Sequence, residues 1–180
     1  MRFQLFLVVA LWLCACISAG ATAPSHSNVV YSYEGFAGGR IEIHTEGSVI
    51  FGDFGVDAKI CDASSKYFCV NAPNAFYFAV PKHFTSGVNT WTVDGHRYVV
   101  LSPTRWLTIF GKDIPVAIIA TTSRSPNGDT ATEYFYYSQK VGLVGFESQL
   151  KIPCGQSRKL NEQYPVLYLL NEKIGFGAAN

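Results

Sequence analysis

Residues 40–45 read Arg-Ile-Glu-Ile-His-Thr, a strict alternation of polar and apolar side chains. Successive side chains of an extended strand point to opposite faces, so Ile41 and Ile43 share a buried face and the polar residues share the other. Runs rich in Val, Ile, Tyr, Phe and Trp recur at 29–33, 49–51, 59–61, 67–70, 76–80, 90–93, 97–101, 105–110, 116–121, 133–137, 141–146, 164–170 and 174–176. Gly, Pro, Asn, Asp or Ser breaks them apart. The sharpest break is Asp94-Gly95, a two-residue link of the kind that adopts positive φ at both positions and closes a hairpin. Ser125-Pro126-Asn127-Gly128-Asp129 is a second turn cluster, and Ser138-Gln139-Lys140 joins 133–137 to 141–146. Helical periodicity is sustained nowhere, and only the polar stretch 156–163 has room for a helical turn. The pattern predicts an all-β fold: one domain with an antiparallel sheet, as a meander, a sandwich or a partly closed barrel.

Ahead of the strands, Met1-Arg2 precedes an apolar run at 3–13. That run is shorter than the roughly 20 residues of a membrane-spanning helix but suits a secretory signal. Ala19-Gly20-Ala21 satisfies the small-x-small cleavage rule, giving a signal over 1–21 and a mature β-rich domain over 22–180. A cut after Ala23 would leave Pro24 behind it and ranks lower. Leu13-Cys14-Ala15-Cys16 resembles a bacterial lipoprotein signal, which implies a signal ending at residue 15 and a lipid on Cys16. Plain cleavage is weighted slightly higher, and in that reading Cys14 and Cys16 are discarded apolar residues. Both readings export the chain to the periplasm, the envelope or the medium, with membrane contact only through a lipid anchor.

Five cysteines are present, and export favours pairing of those outside the signal. Cys61 and Cys69 flank a polar turn and are expected to form a disulfide that staples two strands. Cys154 is then left over, and its pairing with either of the others is the alternative. Three scattered cysteines and isolated histidines do not make a zinc site, so no metal and no cofactor are expected.

At 180 residues, 48% hydrophobic and 15% charged, the chain is too apolar for disorder and long enough for a real core. With 14 basic and 13 acidic residues it lacks the positive excess of a nucleic-acid binder. Catalytic motifs are missing: there is no Gly-x-Ser-x-Gly, His-Glu-x-x-His or phosphate loop. Ser148-Gln149-Leu150-Lys151 spells Ser-x-x-Lys, but on a strand a spacing of three sends the two side chains to opposite faces. Asp94 beside His96 invites a dyad, but turn geometry alone explains the pairing, and an exposed surface histidine is the preferred reading over a general base. The aromatics are mostly strand formers and core filler. Trp91, Tyr134 and Tyr136 are the candidates for an outward platform that binds a partner. The resulting expectation is a non-enzymatic exported protein that binds a protein or a cell-envelope component. A small barrel carrying an apolar ligand is second, and a hydrolase of unknown type third.

Overall fold

The computed structural model describes residues 28–33, 39–73, 75–124, 130–151 and 166–179. Among these lie thirteen strands and no helix: β1 (Asn28–Tyr33), β2 (Arg40–His44), β3 (Ser48–Phe51), β4 (Phe54–Asp57), β5 (Lys59–Ile60), β6 (Tyr67–Ala72), β7 (Phe76–Pro81), β8 (Thr90–Val93), β9 (His96–Ile109), β10 (Lys112–Arg124), β11 (Thr130–Ser138), β12 (Gly142–Lys151) and β13 (Val166–Leu170). The chain is all-β, as its alternation requires. The signal region, Cys16, Cys154 and the stretch 156–163 fall outside the described residues.

Ten strands form one antiparallel sheet in the order β4-β3-β2-β1-β13-β12-β11-β10-β9-β8, and β5-β6-β7 form a second. The large sheet is two meanders, β1 to β4 and β8 to β12, welded by β13. That late strand pairs with β1 through Tyr31 and Leu170, and with β12 through Phe146 and Tyr168. One face of both wings turns onto the small sheet. Ile41, Ile43 and Val49 from one wing join Ile119, Phe135 and Phe146 from the other in a single buried cluster with Val70, Phe76 and Phe78. The Phe76 ring lies 4.9 Å from Phe146, and Phe78 lies 5.0 Å from Phe135. Aromatic pairs of this kind add about 0.5–1.5 kcal/mol each beyond their burial.

The turns follow the sequence where it is explicit. Asp94 and Gly95 have φ of 49° and 82°, the left-handed pair that a two-residue hairpin needs. The Cys61–Cys69 disulfide is present, with Cα atoms 5.1 Å apart, and it ties the end of β5 to β6. Inside its loop, the Asp62 carboxylate accepts the Ser64 hydroxyl at 2.6 Å and the backbone N–H groups of Ser64 and Ser65 at 2.8 and 2.9 Å. These bonds, the Ser64 hydroxyl first, hold the Asp62 carboxyl below its ordinary range.

Two readings of the sequence need revision. Residues 97–101 and 105–110 belong to one long strand, β9, which carries Pro103 at a register shift opposite Ala117. A proline at a bulge has no ladder bond to lose, so it does not end the strand. Residues 174–176 form no strand. They belong to a tail that hooks under the β11–β12 turn: Gly175 N–H donates to the Val141 carbonyl at 2.6 Å and Leu143 N–H to the Phe176 carbonyl at 2.8 Å.

The buried Tyr31 hydroxyl locks this tail. It donates to the Leu143 carbonyl at 3.0 Å and accepts the Phe176 N–H at 3.1 Å. Burial drives its phenol pKa well above the ordinary value. Gly175 has no alternative there, because an added Cβ would meet the Leu143 carbonyl oxygen. Tyr31→Phe strands both partners and is expected to cost about 1–3 kcal/mol in urea unfolding. Gly175→Ala should cost at least as much by overpacking. Unfolding midpoints for both variants equal to that of the parent would show that the tail is not locked in this way.

Candidate functional site

β8 pairs with β9 only across 96–99, and β11 reaches β10 only from Ala117 onward. Residues 105–116 therefore pair with each other alone and project as a two-stranded arm. Its tip is the two-residue link Phe110-Gly111, with φ of 52° and 69°. A bulky L-residue at positive φ is a costly choice where Asn, Asp or Gly would do, so some other advantage holds phenylalanine there. Phe110 is 64% exposed and Trp106 69%. With Leu101 they are three of the five exposed large apolar side chains among the described residues, and all three sit on this one hairpin.

The arm has two unlike faces. Trp106 stands opposite Pro115, and Thr108 opposite Asp113, whose carboxylate accepts the Thr108 hydroxyl at 2.6 Å. All four residues are exposed. On the other face Leu107, Ile109, Ile114 and Val116 join Val144 in a second apolar cluster, separate from the core. Beside this cluster an open cleft of about 700 Å³ runs between the arm (Ile109, Phe110, Ile114) and two short stretches, 138–141 at the β11–β12 turn and 170–173 from the end of β13.

Of the three residues proposed from the sequence as a platform, Trp91 is only 8% exposed. Its ring stacks on Tyr98 at 5.6 Å, and its Nε1–H donates to the Ala79 carbonyl at 3.0 Å. It thus pins β8 to the small sheet and presents no outward ring. The reason is alternation: Trp91 pairs with Tyr98, which lies on the core face of β9. Tyr134 and Tyr136 do lie together on the opposite face of the large sheet, both half-buried. Tyr134 stands across from Glu147, and the Tyr136 hydroxyl donates to the same carboxylate. Burial first, and then Glu147, push the Tyr136 phenol up to about 12. No described contact joins this pair to Trp106 or Phe110.

Two described histidines, His96 and His44, are held by neighbours. His96 stacks on Tyr77 with centroids 4.0 Å apart, and burial lowers its pKa in spite of Asp94. Asp94 itself takes the Asn71 side-chain amide at 3.1 Å and faces Lys59 at 4.0 Å. His44 comes within 3.3 Å of Glu42, but that carboxylate also holds Arg40 at 2.9 Å along the outer side of β2. Among the described residues no group of three or more metal-ligating side chains converges.

One buried carboxylate escaped the sequence reading. Glu133 shares the core face of β11 with Phe135 and Tyr137, and it stands opposite Thr121. The two-residue period carries that information, since 133, 135 and 137 alternate together. Burial alone lifts its carboxyl from 4.5 to about 7. Comparison with protein families, with characterised proteins and with solved structures yields no match.

A carboxyl whose pKa rises on folding favours the native state while it stays protonated. Its contribution is whole below the unfolded value of 4.5 and is lost as pH rises through about 7. Glu133→Gln is therefore expected to flatten the fall in stability between about pH 5 and about pH 8, gaining on the order of 2–3 kcal/mol at the upper end. Urea titrations across that range test it. Parallel pH curves for the two proteins would place the loss elsewhere.

Proposed function

We propose that this chain is an exported, non-enzymatic binding protein whose contact surface is the β9–β10 arm. The observation that carries the reading is the exposure of Trp106 and Phe110 on the projecting arm, with Leu101 exposed on the same hairpin before it. Large aromatics left in water at a rigid protrusion are the usual anchors of an interface. Beyond residue 100, the side of β9 away from β10 has no strand neighbour among the described residues. A partner can therefore add both side-chain pockets and backbone pairing there. The partner class is a protein or a cell-envelope component. A single disulfide in the domain is compatible with an oxidising, exported setting.

Tyr134, Tyr136 and Glu147 remain the second contact candidate, on the sheet face beside the arm. The small-barrel carrier reading would have to find its ligand space beside the Phe76, Phe78, Phe135 and Phe146 rings that meet between the sheets. The hydrolase reading has no converging set of titratable groups among the described residues to support it.

Site-specific photocrosslinking tests the arm. A photoreactive side chain at position 106, introduced into the full chain in its native host, is expected to give one discrete adduct. The same group at exposed Thr92 should give none, and Phe110→Ser should weaken the 106 adduct at least tenfold. Equal, diffuse labelling from both positions, or a discrete adduct only from position 134, would overturn the assignment to the arm.

A further inference from the structure

The cleft is lined by the arm from Ile109 to Pro115, does not include Trp106, and has its own chemistry. We propose that it binds a single-chain amphiphile with an anionic head, of the long-chain carboxylate class. Its volume of about 700 Å³ lies within the roughly 300–1,000 Å³ of small-molecule sites. Ile109, Phe110, Ile114, Val141 and Leu170 supply apolar wall from three separate elements. A hydrocarbon chain laid there would be covered by the arm on one side and by the end of β13 on the other.

The polar end is specified by charge. Lys112 from the arm, Lys140 from the β11–β12 turn and Lys173 after β13 all border the cleft, and all three are exposed. Among the described residues no ion pair occupies any of these ammonium groups, the three pairs present being Arg40–Glu42, His44–Glu42 and Lys59–Asp94. Two acids, Asp113 and Glu172, share the lining. Asp113 is bonded to Thr108, and three lysines against two acids leave the cleft a net charge of +1. Three uncommitted cations around an apolar recess complement a carboxylate head and a long tail. A neutral apolar ligand would satisfy the wall and leave the cations unused. The cleft shares Phe110 with the tip of the arm, but Trp106 is not among its lining residues, so a partner can be held through Trp106 whether or not the cleft is filled.

Titration calorimetry of the mature domain with oleate, kept below its self-association concentration at mildly alkaline pH, provides the test, with oleyl alcohol as the uncharged comparison. Saturable one-to-one binding is expected, with oleate at least tenfold tighter than the alcohol. Lys112→Gln/Lys140→Gln/Lys173→Gln changes only exposed side chains and should bring oleate down to the level of the alcohol. Ile114→Trp, which fills the recess, should weaken both ligands at least tenfold. Equal affinity for the two ligands, or an oleate isotherm unchanged in the triple variant, would refute the proposal. So would the absence of one-to-one binding alongside co-sedimentation with phosphatidylglycerol vesicles, which would mean a membrane surface instead. Should Ile114→Trp fail to fold, the triple variant alone decides.

Discussion

The insertion of Phe76 and Phe78 from β7 among Phe135, Phe146 and Tyr137 is the contact on which the rest of the molecule depends. It gives a very wide sheet its second layer. A ten-stranded sheet has far more apolar surface than its own edges can hide, and three short strands cover it only because their rings are large. Filling the interior this way has a functional consequence. Phenyl rings meet between the two sheets, which is why the proposed contact surface is on the outside, at the free edge and the arm.

The same packing explains what could be read from the residues and what could not. Asp94-Gly95 and the Cys61/Cys69 pair are local devices, each specified by neighbours within a few positions, and both take the expected form. Phe110-Gly111 closes its hairpin with the same φ signs, yet phenylalanine hides it, because the rule for such turns is written in Asn, Asp and Gly. Trp91 illustrates a different limit. Alternation says that Trp91 faces away from its neighbours Thr90 and Thr92, but only the pairing with Tyr98 and the covering small sheet say which face is inside. Glu133 is the converse case, since its face was readable from Phe135 and Tyr137. A carboxylate is so seldom placed on a core face that composition argues against looking there.

The arm collects the places where local rules are broken. Pro103 sits at a shift of register, Pro115 falls where β10 has no β11 neighbour, and Phe110 holds a conformation unfavourable to its side chain. Sequences tolerate such conflicts mainly where function requires them, and elsewhere in this fold propensity, turn chemistry and burial agree. The two prolines have a further physical effect. Each removes an N–H from an exposed strand, which limits indiscriminate pairing of the free edge while leaving the aromatic rings available.

With 14 basic and 13 acidic residues, the chain has almost no net charge for long-range attraction. The two proposed surfaces would act at short range, and they differ in kind. Trp106 and Phe110 offer area that becomes favourable only when water is expelled, which suits a preformed complementary surface. The lysines beside the cleft act over a few ångströms through a Debye length of about 8 Å, which suits a small ion that can approach all three at once. Because Phe110 borders the cleft and also forms the tip, filling the recess would reduce the freedom of the very ring that the arm presents. A ligand in the cleft and a partner on the arm would thereby be coupled through one side chain, and thermodynamic reciprocity requires that whatever either did to the affinity of the other be returned in equal measure.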